Sequence, residues 1–301
     1  MWLVARTSTI DRLIDEAWID DNELESKFLR FFVGAHALGW LTPPFADALS
    51  RWPDVFAQTG RIVCFAAALD DRAHADAILA RIVSELAADG IITGWRNELY
   101  PIGAGLGGDS APLLHIERAA ARAFGITSDA VHVNGVVACE GKPCALWIAR
   151  RAANKSIDPG MRDNIIGGGV PAGLSVRETL VKEAWEEAGL GAAIASAATP
   201  GRRLRIRRIV PEGLQSEVIH VHDLVLPSAT IPCNQDGEVG EFERIDIQGL
   251  IELLECDRDL IERDPMTLDA SLVTLDWLER HGFVTLPESN ACRAVYGGAD
   301  F

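Results

Sequence analysis

Apolar and polar residues follow one rhythm in the first part of this chain and another in the second, with the change near residue 125. Early on the spacing is mostly helical. Over 71–90 an acidic start is followed by apolar Ala75, Ile78, Leu79, Ile82, Val83 and Leu86, and Gly90 closes the pattern, which predicts a helix. Helical or short mixed patterns cover 9–18 and 25–41, and 42–52 restarts with helical spacing after two prolines. The apolar run 61–69 reads as a strand, 97–105 as a strand and turn, and 112–125 as a second helix ending at Gly125. Beyond residue 125 strands dominate. The runs 129–139 and 144–152 flank Glu-Gly-Lys-Pro and predict a hairpin. A loop over 153–164 follows, then strands at 203–210, 217–226 and 242–247, with late helices at 246–257 and 268–282. The expected class is α/β (α+β mixed): a smaller N-terminal α/β unit over 1–125, a second unit over 126–290, and a C-terminal tail over 291–301.

Composition narrows the class of partner. At 301 residues the chain suits one large domain or two ordinary ones, and its 48% hydrophobic content is ample for a core. No apolar run approaches the ~20 residues of a membrane span, and the N-terminus shows no signal-peptide pattern, so a soluble, cytoplasmic protein is expected. A net charge of −16 argues against nucleic-acid or membrane-surface binding. It leaves room for a small phosphorylated ligand, because a cation or local basic residues overcome the background field. The cysteines (Cys64, Cys139, Cys144, Cys233, Cys256, Cys292) form no C-x-x-C pair, and reduced thiols are expected.

The densest chemistry lies between Gly167 and Leu190. Ser175 and Glu178 form an S-x-x-E capping box, which places a helix start at Ser175. Leu180, Val181, Ala184, Trp185 and Ala188 then share one broad face. Glu183, Glu186 and Glu187 stand at i, i+3, i+4 and gather on an adjoining face, and Gly189 stops the helix. Like charges at this spacing cost a few tenths of a kcal/mol per pair. The cluster reads either as a solvated acidic face or as a site for a hard cation, Mg²⁺ or Mn²⁺, which takes carboxylate oxygens and leaves positions for substrate phosphates.

Gly168, Glu183, Glu186, Glu187, Gly189 and Leu190 stand at the spacing of the 23-residue Nudix box, G-x5-E-x7-R-E-U-x-E-E-x-G-U. The sequence resembles the Nudix hydrolases. The resemblance implies an α/β/α sandwich with a mixed sheet and a loop–helix–loop that holds metal. Two positions depart: Leu174 replaces the first glutamate and Lys182 replaces the arginine. Lysine keeps the charge but loses the planar bidentate fork. By the resemblance, the enzyme cleaves a diphosphate by water attack on phosphorus, with Glu183, Glu186, Glu187 and Lys182 as the catalytic set. Glu183, Glu186, Glu187 and a later loop carboxylate, Glu238 or Glu241, would hold the metal.

Arg150, Arg151, Lys155 and Arg162 precede the glycines. A basic turn there, with the backbone at Gly168, is a candidate clamp for the substrate phosphates through Arg150, Arg151 and Lys155. Arg203, Arg205 and Arg207 share a strand face, more in keeping with a charged exposed strand than an anion site. His220 and His222 also share a face and read as surface or hydrogen-bonded histidines. Further stretches, "GWRNELYPI", "IERAAARAFGI", "VHVNGVV" and "GLQSEVIHVHDLVLP", resemble the thiamine pyrophosphokinase-related Nudix proteins in a stand-alone form. That subgroup implies damaged thiamine diphosphates, oxo- and oxythiamine diphosphate, as substrates cut to monophosphates. An aromatic cleft wall would suit them, with Trp95 the best placed candidate and Trp147 and Trp185 expected in the core. The alternatives are a nucleoside diphosphate derivative as substrate, or a Nudix-fold ligand-binding protein without catalysis. A diphosphate isomerase is a further option, but His132 and Cys139 are not convincingly placed for it.

Overall fold

A computed structural model describes residues 7–66, 71–103, 111–155, 157–227, 229–255 and 265–297. The described residues begin with helices α1 (Thr7–Ala17) and α2 (Asp21–Lys27), then strands β1 (Leu29–Val33) and β2 (His36–Leu41), helix α3 (Pro43–Leu49), strands β3 (Phe56–Thr59) and β4 (Ile62–Phe65), and helix α4 (Arg72–Ala88). The strands form a four-stranded sheet in the order β2-β1-β4-β3. The pattern over 25–41 resolves into the end of α2 and a β1–β2 hairpin turning at Gly34, whose positive φ of 57° suits glycine. A separate hairpin pairs β5 (Leu99–Ile102) with β6 (Leu114–Glu117). Phe31, Phe124, Leu79, Ile82 and Leu114 centre the core of this unit.

The segment 112–125 is not the expected helix. Leu114 and Ile116 alternate inward as a strand against β5, and only a 3₁₀ turn (Arg118–Ala120) follows. The alanines and arginines favour a helix locally, but pairing and burial of the alternate apolar residues override that preference.

The second unit is a seven-stranded mixed sheet. Its strands are β7 (Thr127–Cys139), β8 (Lys142–Arg151), β9 (Arg162–Asn164), β10 (Ile166–Gly169), β11 (Thr199–Val210), β12 (Gly213–Val225) and β13 (Val239–Asp246). The main order is β11-β12-β7-β8-β13, with β10 on β7 and β9 on β8, and β12 runs parallel to β7 while the other pairs are antiparallel. Helices α5 (Val176–Ala188) and α6 (Ala192–Ala195) follow β10, and α7 (Ile247–Leu254), α8 (Leu268–Arg280) and α9 (Asn290–Tyr296) follow β13.

Side chains alternate across the sheet and build a core on each face. Val131 and Val133 of β7 pack with Leu180, Ala184 and Ala188 of α5. Ala130 and Val136 of the same strand pack with Leu272 and Trp277 of α8. This is the expected α/β/α sandwich. Helix α1 joins the α8 side through Ile10, Leu13 and Ile14, so the first helix of the chain lies in the core of the second unit. The end of the chain is likewise more than a tail. Ser289 caps α9, Cys292, Val295 and Tyr296 are buried, and the Tyr296 hydroxyl donates to Leu272 O at 3.1 Å.

Cys139 and Cys144 form a disulfide where reduced thiols are expected, because the β7–β8 hairpin brings their Cα atoms to 5.8 Å. Among the expected features, Cys256 and residues 67–69, 104–105, 156, 256–257 and 298–301 lie outside the described residues. Among the described residues no helix is long and apolar enough to cross a membrane.

Candidate active site

Helix α5 begins and ends on local chemistry. Glu178 N–H donates to Ser175 Oγ at 3.2 Å, and Ser175 N–H donates to Glu178 Oε2 at 2.9 Å, which completes the capping box. Donation to that carboxylate from the Ser175 N–H and hydroxyl holds the Glu178 carboxyl below its usual range. Gly189 ends the helix in the left-handed region with φ 65°. Between the caps, Leu180, Ala184 and Ala188 bury against the sheet, and Glu187 is carried down with them to 8% exposure.

The glycines of β10 leave room for the carboxylates. Gly167 N–H donates to Glu187 Oε2 at 2.7 Å. A Cβ on Gly168 would come within 2.7 Å of Glu183 Cδ, so the Glu183 carboxylate rests on bare backbone. Burial pushes the Glu187 carboxyl well above its ordinary range, and Glu183 and Asp163 add to the rise against the pull of Gly167 N–H and Lys155. Burial also raises Glu183, partly offset by Lys182. Lys182 Nζ donates to Glu183 Oε1 at 2.9 Å and to Glu186 Oε2 at 2.6 Å. Burial works against the Lys182 charge, but its bonds to Glu186 and Glu183 raise its pKa. The lysine at the motif's arginine position thus ties the two carboxylates together. Leu174, at the motif's first glutamate, is half-buried, with its backbone N–H donating to Pro171 O at 3.2 Å.

The donor chemistry fits a hard divalent cation. The groups offered by α5 are all carboxylate oxygens, and two of them are burial-raised acids whose mutual repulsion a cation would offset. Among the described residues, no three acidic, His or Cys side chains already converge on one point as a ligand set. Glu186 and Glu183 are turned to Lys182, and Glu187 is turned to Gly167.

These groups line a cavity of about 370 Å³. Of the residues expected from the sequence, Gly168, Lys182, Glu183, Glu186, Arg151, Lys155 and Glu238 meet there. Glu187 sits just beneath it, in a small enclosed space shared with Gly167, Lys155 and Glu238. Lys155 pairs with Glu238. Burial alone would raise Glu238, but Lys155, Arg118 and Arg96 bring it below its ordinary range. Arg151 donates to Asp163 Oδ2 at 2.7 Å.

Arg150 does not join them. As the next residue on β8 it faces the other way, donating to its cross-strand partner Glu241 at 2.5 Å and to Gly160 O at 2.9 Å. Arg162 likewise pairs with Glu243 at 2.5 Å. Arg205 and Arg207 stack on Trp18, so that strand face packs on the N-terminal segment. His220 and His222 are buried and hydrogen-bonded, to Asp129 Oδ1 at 2.6 Å and to His220 O at 3.1 Å respectively. Trp185 is 55% exposed rather than in the core. Trp147 is partly buried beneath Arg244. Trp95 is exposed and donates its indole N–H to Asn97 at 2.8 Å, while its neighbours Gly94 and Arg96 line an adjoining cavity.

The opposite wall of the site is built from residues outside the box. Arg96, Glu98, Arg118 and Arg122 reach in from the first unit, and Arg208, Glu217 and Asp269 from the second. Burial raises the Glu217 carboxyl, with Asp269 adding to it. The adjoining cavity, about 340 Å³, shares Arg96, Arg118, Arg122 and Glu217 and adds Tyr100, Ile126 and Leu214. No spacing along the chain links these residues to the box; only the clustering of arginines over 118–122 hints at them.

Two families match the chain in succession: a domain of unknown function (DUF4743) over residues 9–128, and the Nudix domain over residues 129–264. Nudix hydrolase 24, chloroplastic, of Arabidopsis thaliana is 35% identical over 90% of this chain and 72% of its own length. Nudix hydrolase 20, chloroplastic, of the same plant is 33% identical over 91% of this chain and 73% of its own length. Among solved structures, the MutT protein from Methanosarcina mazei Go1 is similar over 51% of this chain and 95% of its own, at 18% identity and a TM-score of 0.36. Similarity to named Nudix hydrolases across both halves of the chain establishes its kinship: it belongs to the Nudix hydrolases, enzymes that act on phosphorus-containing acid anhydrides.

Proposed function

We propose that this chain is a Mg²⁺- or Mn²⁺-dependent diphosphohydrolase of small organic diphosphates, with oxo- and oxythiamine diphosphate as the favoured substrates. The observation that carries the reading is one cavity in which the α5 carboxylates Glu183 and Glu186 share the lining with Arg96, Arg118, Arg151 and Lys155, basic groups interspersed with acids. Carboxylates serve a cation, guanidinium and ammonium groups serve phosphate oxygens, and a diphosphate needs both. Glu183, Glu186 and Glu187 would hold the cation, with Glu238, which shares the space around Glu187, beside them. When bound it would neutralise phosphate charge and acidify a bound water. Lys182 would yield Glu183 and Glu186 and keep its charge beside them, and Arg151 and Lys155 would orient the diphosphate. Water adds to phosphorus, the P–O–P bond breaks, and the products are the monophosphate and orthophosphate.

The thiamine-type substrate rests on the sequence resemblance and on the adjoining cavity. Tyr100, Ile126 and Leu214 offer a partly apolar wall for a small ring system, and the carboxyl of Glu217 suits a cationic or hydrogen-bond-donating one. A phosphate-release screen with Mg²⁺ tests both levels. Oxythiamine diphosphate should be cleaved faster than ADP-ribose. No cleavage of it beside fast cleavage of ADP-ribose would remove the thiamine-type substrate, and silence with every diphosphate would remove the catalytic reading. The small-molecule class of partner and a cytoplasmic setting complete the proposal.

A further inference from the structure

The N-terminal unit is locked to the box by two contacts, and a third, internal one fixes Arg118 on the same hairpin. The Tyr100 hydroxyl of β5 lies over Gly169 so closely that a Cβ there would stand 1.7 Å from it. Ala172 N–H, in the loop that leads to α5, donates to Leu99 O at 2.7 Å. Arg118 stands 5.6 Å over the Tyr100 ring and donates to Glu98 at 2.8 Å. Buried Glu117 then sets the backbone of both arginine-bearing turns, accepting from Arg96 N–H at 2.8 Å and Ala119 N–H at 3.3 Å. A buried carboxylate spent on two backbone donors holds Arg96 and Arg118 in register with each other.

Both arginines line the same cavity as Glu183 and Gly168. A fixed guanidinium in a cleft that also holds an acidic helix repels nothing that carries phosphate, and it presents the planar fork that phosphate oxygens accept bidentately.

We propose that Arg118, with Arg96 beside it, is a diphosphate-binding residue, so that the N-terminal unit completes the active site rather than merely adjoining it. The inference rests on the diphosphate reading above and assigns a role to the region matched by the domain of unknown function. The wall supplies the grip on the phosphate farther from α5, and α5 supplies the cation-binding side.

The test compares the full-length wild type with Arg118→Lys and Arg118→Ala. It reads kcat and KM for the best diphosphate in the screen, and inhibition by inorganic pyrophosphate. Arg118→Ala should lower kcat/KM by roughly 10- to 100-fold and weaken pyrophosphate inhibition in parallel, the size expected for a charged hydrogen bond lost from the complex. Arg118→Lys keeps the charge and the fold without the fork, and should fall between the two. Wild-type KM and pyrophosphate inhibition in both variants would overturn the inference while leaving the diphosphate reading standing. If Arg118→Ala fails to fold, Arg118→Lys decides, and wild-type values there overturn it. A wild type that cleaves no diphosphate and is not inhibited by pyrophosphate overturns the parent reading and this one with it.

Discussion

Glu187→Gln separates the cost of the buried carboxylate from its use. The side chain is 8% exposed, and its Oε2 accepts from Gly167 N–H at 2.7 Å. Glutamine has the same shape and keeps an acceptor for that N–H, so the substitution removes charge and little else. Burial and the Glu183 and Asp163 charges raise the native carboxyl above its unfolded value. A raised acid contributes stability that is fully present below the unfolded pKa of about 4.3 and is lost as pH rises through the folded value. At pH 7.5 without metal, Glu187 therefore destabilises the fold, by about 1.4 kcal/mol for each unit it is raised. One kcal/mol moves the Tm of a chain this size by roughly 2–4 °C. In EDTA the variant should melt several degrees above wild type at pH 7.5, and the two curves should converge near pH 4. With Mg²⁺ the order of benefit reverses: wild type gains Tm and the variant gains little. Phosphate release should fall by about a hundredfold or more, since a bound cation contributes several kcal/mol to the transition state and each 1.4 kcal/mol is tenfold. Scanning calorimetry at several pH values and a phosphate-release assay measure all of this. A variant that melts below wild type in EDTA at pH 7.5, or that hydrolyses at the wild-type rate, would show the reasoning about Glu187 to be wrong.

Gly169→Ala forces a methyl into the Tyr100 hydroxyl; overpacking of this kind costs about 1–3 kcal/mol, and a Tm equal to wild type would show that the hairpin is not held against β10. Arg150→Ala should leave KM within about twofold of wild type, because its bonds to Glu241 and Gly160 O lie outside the cleft; a tenfold rise in KM would restore Arg150 to the phosphate site. Alkylation of the denatured, unreduced chain should leave Cys139 and Cys144 unlabelled until a reductant is added; mass spectrometry that finds both labelled beforehand refutes the disulfide.

Much of the box was legible because its information is local. A helix turns about 100° per residue, which sets Glu187 only about 20° from Leu180 and sets Trp185 about 140° away. Burial of that glutamate and exposure of that tryptophan follow from the wheel, although a broad apolar face drawn through Trp185 hides both. The same holds for Arg150 and Arg151. Once 144–152 is a strand, adjacent residues must point to opposite faces, so only one of the two arginines could reach a given cleft. The segment 112–125 failed for a different reason. Alanine and arginine favour a helix on their own, and the pairing of Leu114 and Ile116 with β5 is a contact the local pattern does not contain. Arg96 and Arg118 were hidden for the same reason, since they approach Glu183 only through the docking of that hairpin on β10.

That docking also gives the glycine run a fuller meaning. A glycine-rich loop before a helix is ordinarily read as freedom of backbone torsion, yet Gly167, Gly168 and Gly169 are ordinary strand residues in β10, paired in register with His132, Val131 and Ala130. What each lacks is space. A Cβ on Gly167 would meet the His132 ring at 3.0 Å, one on Gly168 the Glu183 carboxyl at 2.7 Å, and one on Gly169 the Tyr100 hydroxyl at 1.7 Å. Three neighbours press on three successive residues, one from the sheet, one from the acidic helix and one from the N-terminal unit. The strand is where the three parts of the molecule meet. A side chain at Gly168 would push Glu183 off its seat directly, and a side chain at Gly169 would push away the hairpin that carries Arg118. The two sides of the cleft are therefore coupled through one bare strand, and a substitution at either glycine reaches the chemistry by a different route.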